Sequence, residues 1–90
     1  MKTVLEDGYI YYVDDNDKML AWINYKEEAD GVYDIIHTIV DESARGKGVA
    51  GRLTEELAEK FRNEHKKTRL TCSYAVAWFA KHPEYSDVLA

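Results

Sequence analysis

The segment Arg45-Gly46-Lys47-Gly48-Val49-Ala50-Gly51 sets three glycines and two cations where a strand-like run gives way to a helical one. Glycine lets a backbone approach a ligand closely, and the first N–H groups of the following helix have no intrahelical partner. Together with the positive end of the helix dipole, such a corner suits a phosphate or pyrophosphate. Arg45 and Lys47 can add charge to the backbone contacts. Cys72 lies where a short strand-like run meets a second helical segment. A helix N-terminus lowers a thiol's pKa and makes it a nucleophile. Packing as a small buried apolar residue is the other reading of a free cysteine. His37, on a long strand-like run, has the chemistry of a base, or of a hydrogen-bonded histidine tying a sheet to a helix. His37, His65, His82 and Cys72 have no zinc-ligand spacing, so no metal site is expected.

The elements that must hold these residues follow from periodicity. Tyr9–Val13 is rich in β-formers and ends at Asp14-Asp15-Asn16-Asp17, and Met19–Tyr25 follows at hairpin distance, giving an antiparallel pair. After the polar break Lys26–Gly31, the run Val32–Val40 reads as a third, central strand. Strict alternation puts Tyr33, Ile35, His37 and Ile39 on one face and Val32, Asp34, Ile36, Thr38 and Val40 on the other. Beyond the glycines, Val49, Leu53, Leu57 and Phe61 recur four apart, with Ala50 and Ala58 widening the stripe. Glu56 and Lys60 are spaced to pair on that helix. Arg69–Cys72 reads as a short strand, and Ser73–Lys81 as a helix burying Val76, Phe79 and Trp78, ended ahead of Pro83. His82-Pro83-Glu84 closes that helix with Tyr85 packing back. The expected architecture is α+β, a mixed sheet in which three antiparallel strands are followed by a helix, a parallel strand and a helix.

Ninety residues with 46% hydrophobic content and seven tyrosines fit one folded domain over residues 1–90. No stretch reads as a signal peptide or could span a bilayer, and the single cysteine cannot close an internal disulfide. The expectation is a cytoplasmic protein with no membrane partner. Net charge is -5 and is uneven. Residues 1–44 carry three cations against eleven acids, and residues 45–90 carry nine cations against six acids. An anionic cofactor on the second half and a cationic substrate near the first are electrostatically consistent with this division. The basic residues are not set among exposed aromatics in any nucleic-acid module, so no nucleic-acid partner is expected.

Gly46, Gly48 and Gly51 satisfy G-x-G-x-x-G, but a dinucleotide fingerprint opens a parallel sheet and is followed about twenty residues on by an acid at a strand end. Here that strand ends in Cys72. A Walker loop fails because Lys47 is followed by Gly48 rather than Ser or Thr. A purely structural corner would have little use for three glycines in six residues flanked by Arg45, Lys47 and Arg52.

Arg45-Gly46-Lys47-Gly48-Val49-Ala50 resembles the R/Q-x-x-G-x-G/A pyrophosphate-binding motif of the GNAT superfamily of acetyltransferases. His37-Thr38-Ile39-Val40 before it, and Cys72-Ser73-Tyr74, Trp78-Phe79 and His82-Pro83-Glu84-Tyr85 after it, are similar to the short single-domain N-acetyltransferase domain-containing proteins. The resemblance covers the whole chain. It implies a minimal fold that binds acetyl-CoA, with pyrophosphate on the backbone of Gly46–Gly51 and the pantetheine arm between the third and fourth expected strands. Ile39 and Val40 match the backbone positions that stabilise the oxyanion, and Tyr74 matches a tyrosine that protonates the leaving thiolate. Cys72 would then either accept the acetyl group or pack. Larger members insert helices between their first two strands, whereas only Asp14–Lys18 separates the runs here. The activity implied is N-acetyl transfer to an amine of unspecified identity, and the alternative is a module that binds CoA or acyl-CoA without efficient turnover.

Overall fold

The computed structural model describes residues 2–90. Five strands, β1 (Lys2–Glu6), β2 (Tyr9–Val13), β3 (Met19–Ala29), β4 (Val32–Val40) and β5 (Lys67–Leu70), form one sheet in that order. The first three pairings are antiparallel and β4 pairs with β5 in parallel. Helix α1 (Val49–Asn63) makes the crossover between β4 and β5, and α2 (Ser73–Lys81) follows β5. The mixed α+β architecture expected from the sequence is present, with one strand more at its start. β1 gives no clear strand signal in the sequence because its charged, exposed ends mask a five-residue edge strand. The signal that could have found it is Asp7-Gly8, a hairpin dipeptide whose glycine sits at φ 83°.

Alternation along β2 and β3 turns Ile10, Tyr12, Ala21, Ile23 and Tyr25 to the buried side, into one core with Leu53, Leu57 and Phe61 of α1 and Ala75, Trp78 and Phe79 of α2. Phe61 stacks on Tyr33 and meets Tyr25 edge-on, with ring centroids 5.3 and 5.8 Å apart. Val76, expected inside, is exposed, and Ala75 takes the buried place. Glu56 does not pair with Lys60: it accepts a 2.6 Å hydrogen bond from Thr3, and Lys60 pairs with Glu64 at 2.7 Å. β3 runs on through Lys26-Glu27-Glu28, because exposed charged residues are tolerated where a strand leaves the core. β5 starts and ends two residues earlier than expected, which leaves Cys72 at the N-cap of α2.

The register of β4 departs from strict alternation. Asn24 faces His37 while the adjacent Tyr25 faces Ile35, so Ile36 is an extra residue, a β-bulge. Tyr33 and Ile35 point into the core, as do Thr38 and Val40 beyond the bulge, whereas His37 and Ile39 are exposed on the other side. The expectation that Tyr33, Ile35, His37 and Ile39 share one face is therefore corrected, since a single inserted residue exchanges the faces of everything after it.

Candidate active site

Two strands that begin as neighbours separate here. β4 and β5 pair from Val32 to Ile35. Asp34 then accepts from the Thr71 backbone N–H at 3.0 Å and from its hydroxyl at 2.6 Å, while Ile35 O accepts from the N–H groups of Thr71 and Cys72, both at 3.0 Å. The chain next turns into α2, and β4 from Ile36 to Val40 keeps only β3 as a strand partner among the described residues. A parted pair of this kind leaves one strand edge able to pair with an extended ligand.

At the end of β4, Asp41 caps a short 3₁₀ turn, Glu42–Ala44, accepting from the Ser43 backbone N–H and from its hydroxyl. These hydrogen bonds, the hydroxyl's first, hold the Asp41 carboxyl below its usual pKa. Gly46 and Gly48 follow at φ 79° and 72°, in the left-handed region. Gly48 is the N-cap of α1 and lends it no side-chain hydrogen bond, and no acid occupies the first turn of that helix. Its leading N–H groups are thus left to a ligand or to solvent. A hollow of about 260 Å³ opens here, lined by Val40, Ala44, Arg45, Gly46, Gly48, Val49, Ala50, Gly51 and Tyr74. Arg45 and Lys47 are exposed beside it. Arg52 is also exposed and lies 5.9 Å from the centre of the Tyr12 ring. Gly51 has a second purpose that the spacing did not reveal. A Cβ there would lie 3.4 Å from the Tyr74 hydroxyl and 3.5 Å from Trp78 Nε1, so its bare backbone lets α2 lie close to α1.

Cys72 Sγ lies 3.4 Å from Thr38 Oγ1, across the gap between β4 and α2. Partial burial pushes its thiol pKa up, but Thr38 and the backbone N–H groups of Ala75 and Tyr74 at the start of α2 outweigh burial and bring it below the ordinary value. Tyr74, two residues beyond the thiol, lines the glycine hollow. Burial, followed by the nearby Cys72, raises its phenol pKa and keeps it protonated. The structure therefore brings together Val40, the glycine corner and Tyr74, with Cys72 adjoining. His37 lies on the same β4 segment but on its exposed face, opposite Asn24. His82 stacks on Trp78 with centroids 3.9 Å apart and Nδ1 2.7 Å from Trp78 O, ending the helix as expected, and Tyr85 packs back into the core. Among the described residues no group of His, Cys, Asp or Glu is arranged to hold a metal ion, and no helix is long and apolar enough to cross a membrane.

A glycine corner joining the end of a central strand to a helix, beside a parted parallel pair, is a combination that can be compared with known proteins. The model of the GCN5-related N-acetyl-transferase family matches residues 8–88. The chain belongs to this family. Among solved structures, it is similar to a GCN5-like protein from Staphylococcus aureus assigned as an N-acetyltransferase, with 28% identity and a TM-score of 0.81 over 99% of this chain and 87% of that one. It also shares the fold of Tetrahymena GCN5, at 12% identity and a TM-score of 0.68 over 81% of this chain and 48% of that one. A ribosomal-protein-alanine N-acetyltransferase from Brucella melitensis gives 20% identity and 0.56 over 91% and 62%. No curated protein matches the sequence significantly. The GCN5-related family is one of acetyltransferases, and this chain carries its fold almost end to end, so acetyl transfer is its class of activity.

Proposed function

We propose that this GCN5-related N-acetyltransferase takes acetyl-CoA as donor and a cationic amine as acceptor. The observation that carries the reading is the uncapped, acid-free start of α1 behind Gly46 and Gly48, placed at the end of the strand whose edge β5 abandons. The residues present fit the donor. The backbone of Gly46–Gly51, with Arg45 and Lys47 beside it, suits a pyrophosphate, and the open edge of β4 from Ile36 to Val40 suits an amide-bearing arm.

In direct transfer the acceptor nitrogen attacks the thioester carbon, and backbone N–H at Ile39 or Val40 stabilises the oxyanion. His37, exposed on the far face, takes the proton the amine sheds. The carbon–sulfur bond then breaks, and the Tyr74 hydroxyl supplies the proton to the departing thiolate. The depressed thiol of Cys72 supports a second route, in which its thiolate first takes the acetyl group as a thioester, releasing CoA, and the amine then attacks that thioester.

Calorimetry with CoA and a thiol-release assay with acetyl-CoA over an amine panel test the proposal. The expected result is CoA binding that weakens about tenfold when Arg45 and Lys47 are both changed to Ala, and that loses less at high salt in this variant than in wild type. A folded protein that binds no CoA would overturn the reading. Tight CoA binding with no acetylation of any amine would instead make the chain an acyl-CoA-binding module. Acetyl mass added to the protein, removed by hydroxylamine and absent in Cys72→Ala, would select the two-step route.

A further inference from the structure

The face of the sheet turned away from the helices carries two transverse rows fixed by strand register. One runs Val4, Tyr11, Trp22, Ile39 and the other Glu6, Tyr9, Asn24, His37, each crossing from β1 to β4. Towards β1 they enclose a hollow of about 440 Å³ lined by Glu6, Tyr9, Tyr11, Met19 and Trp22. Tyr9 and Met19 are about two-fifths exposed, at 43% and 40%. The lining holds three aromatic rings, a polarisable thioether and one carboxylate, and no cation. The Tyr11 hydroxyl donates to Glu6 Oε1 at 2.6 Å, holding the carboxylate at the margin of the rings. Electron-rich ring faces beside a fixed carboxylate attract an alkylammonium centre. A neutral apolar ligand would leave the carboxylate unused, and an anion would be repelled.

The far end of both rows is the β4 segment assigned above to the reacting thioester. Three strand spacings separate Glu6 from His37, about 14 Å, and the ring cluster lies about 5–10 Å from Ile39. Resting on the proposed acetyl transfer, we infer that the Glu6, Tyr9, Tyr11, Trp22 hollow holds a second cationic centre of the acceptor, which is a linear oligoamine whose reacting nitrogen lies about 10–14 Å from that centre. The hollow sets acceptor length. The rows across the sheet act as the ruler.

The test uses the full chain with linear α,ω-diamines of increasing length and the monoamines of matched length. Thiol release reports transfer, and the NMR shift of the Trp22 indole reports binding separately. The expected result is a maximum in kcat/KM when the nitrogens stand about 10–14 Å apart, with the monoamine of that length about tenfold poorer. Glu6→Gln should raise KM for the best diamine about tenfold and remove its advantage over the monoamine. Tyr9→Ala should act in the same direction, so a folding fault in either variant alone cannot decide the matter. A flat length profile, or unchanged KM in both folded variants, overturns the inference while leaving acetyl transfer intact. If no amine is acetylated but the diamine still shifts the Trp22 indole in wild type and not in Glu6→Gln, the hollow stands as a diammonium site and the transfer reading fails instead.

Discussion

Replacing Gly48 by L-alanine isolates what the left-handed corner demands. Gly48 sits at φ 72° and ψ 14°, and an L-Cβ built there meets nothing within 4 Å. No packing clash enters, and the first intrahelical bond, Arg52 N–H to Gly48 O at 3.1 Å, involves only backbone. What remains is the preference of an L-residue against positive φ, about 1–2 kcal/mol, which for a chain of this size lowers Tm by about 5–15 °C. D-alanine at the same position, introduced by chemical synthesis, has the opposite preference. It should hold the corner and raise stability by about 0.4–1 kcal/mol by narrowing the unfolded ensemble. Thermal unfolding of the three proteins, with CoA affinity measured beside it, gives the expected order D-Ala, Gly, L-Ala. Equal unfolding temperatures for the L and D variants would refute the argument that conformation, rather than space, selects glycine here. The same strain means that a branched residue at position 48 would lose stability together with any ligand contact, so Arg45 and Lys47 are the cleaner probes of pyrophosphate binding.

The rate of Cys72 alkylation against pH should show a midpoint below the ordinary thiol value of 9.0, and Thr38→Val should move it upward by removing a hydrogen-bond partner of the thiolate. An unmoved midpoint in the folded variant would leave the start of α2 as the cause. The Arg62 guanidinium holds the Asp87 carboxyl below its usual 3.8, so their pairing stabilises the fold above that pH and is lost as pH falls through the depressed value. Asp87→Asn should therefore be less stable than wild type at neutral pH and converge with it in acid, which urea unfolding across pH can follow. Phe61→Ala, at a ring 1% exposed, should cost about 3–5 kcal/mol by calorimetry, a large part of the stability of a small domain.

The sequence was most legible where one rule acted alone. The four-residue spacing of Val49, Leu53, Leu57 and Phe61 found α1, and Pro83 marked the end of α2. The glycine corner was legible because Gly46 and Gly48 have no other residue type that suits their backbone so well. What stayed hidden depended on partners. The Ile36 bulge is defined by how β4 pairs with Asn24 and Tyr25 of β3, and nothing in Val32–Val40 itself reports that pairing. The use of Gly51 as a contact for Tyr74 and Trp78 likewise appears only when α2 is laid against α1. The hollow on the open face was missed for a related reason. Glu6, Tyr11 and Trp22 lie on three separate strands, and register alone makes them neighbours.

The sheet is stitched unequally, and this bears on the order in which it comes together. β1 to β4 are consecutive in the chain and joined by short turns, whereas β5 reaches its place only after the fifteen residues of α1. Local hairpins close at low entropic cost, and a parallel strand at the far side of a crossover closes later. The seam between these two parts is the parting of β4 and β5, the place proposed above for the acetyl donor. A molecule lodged there would touch both the early meander and the late-docking helical half. It would act as a clasp on the native state, slowing unfolding while doing little to hasten folding.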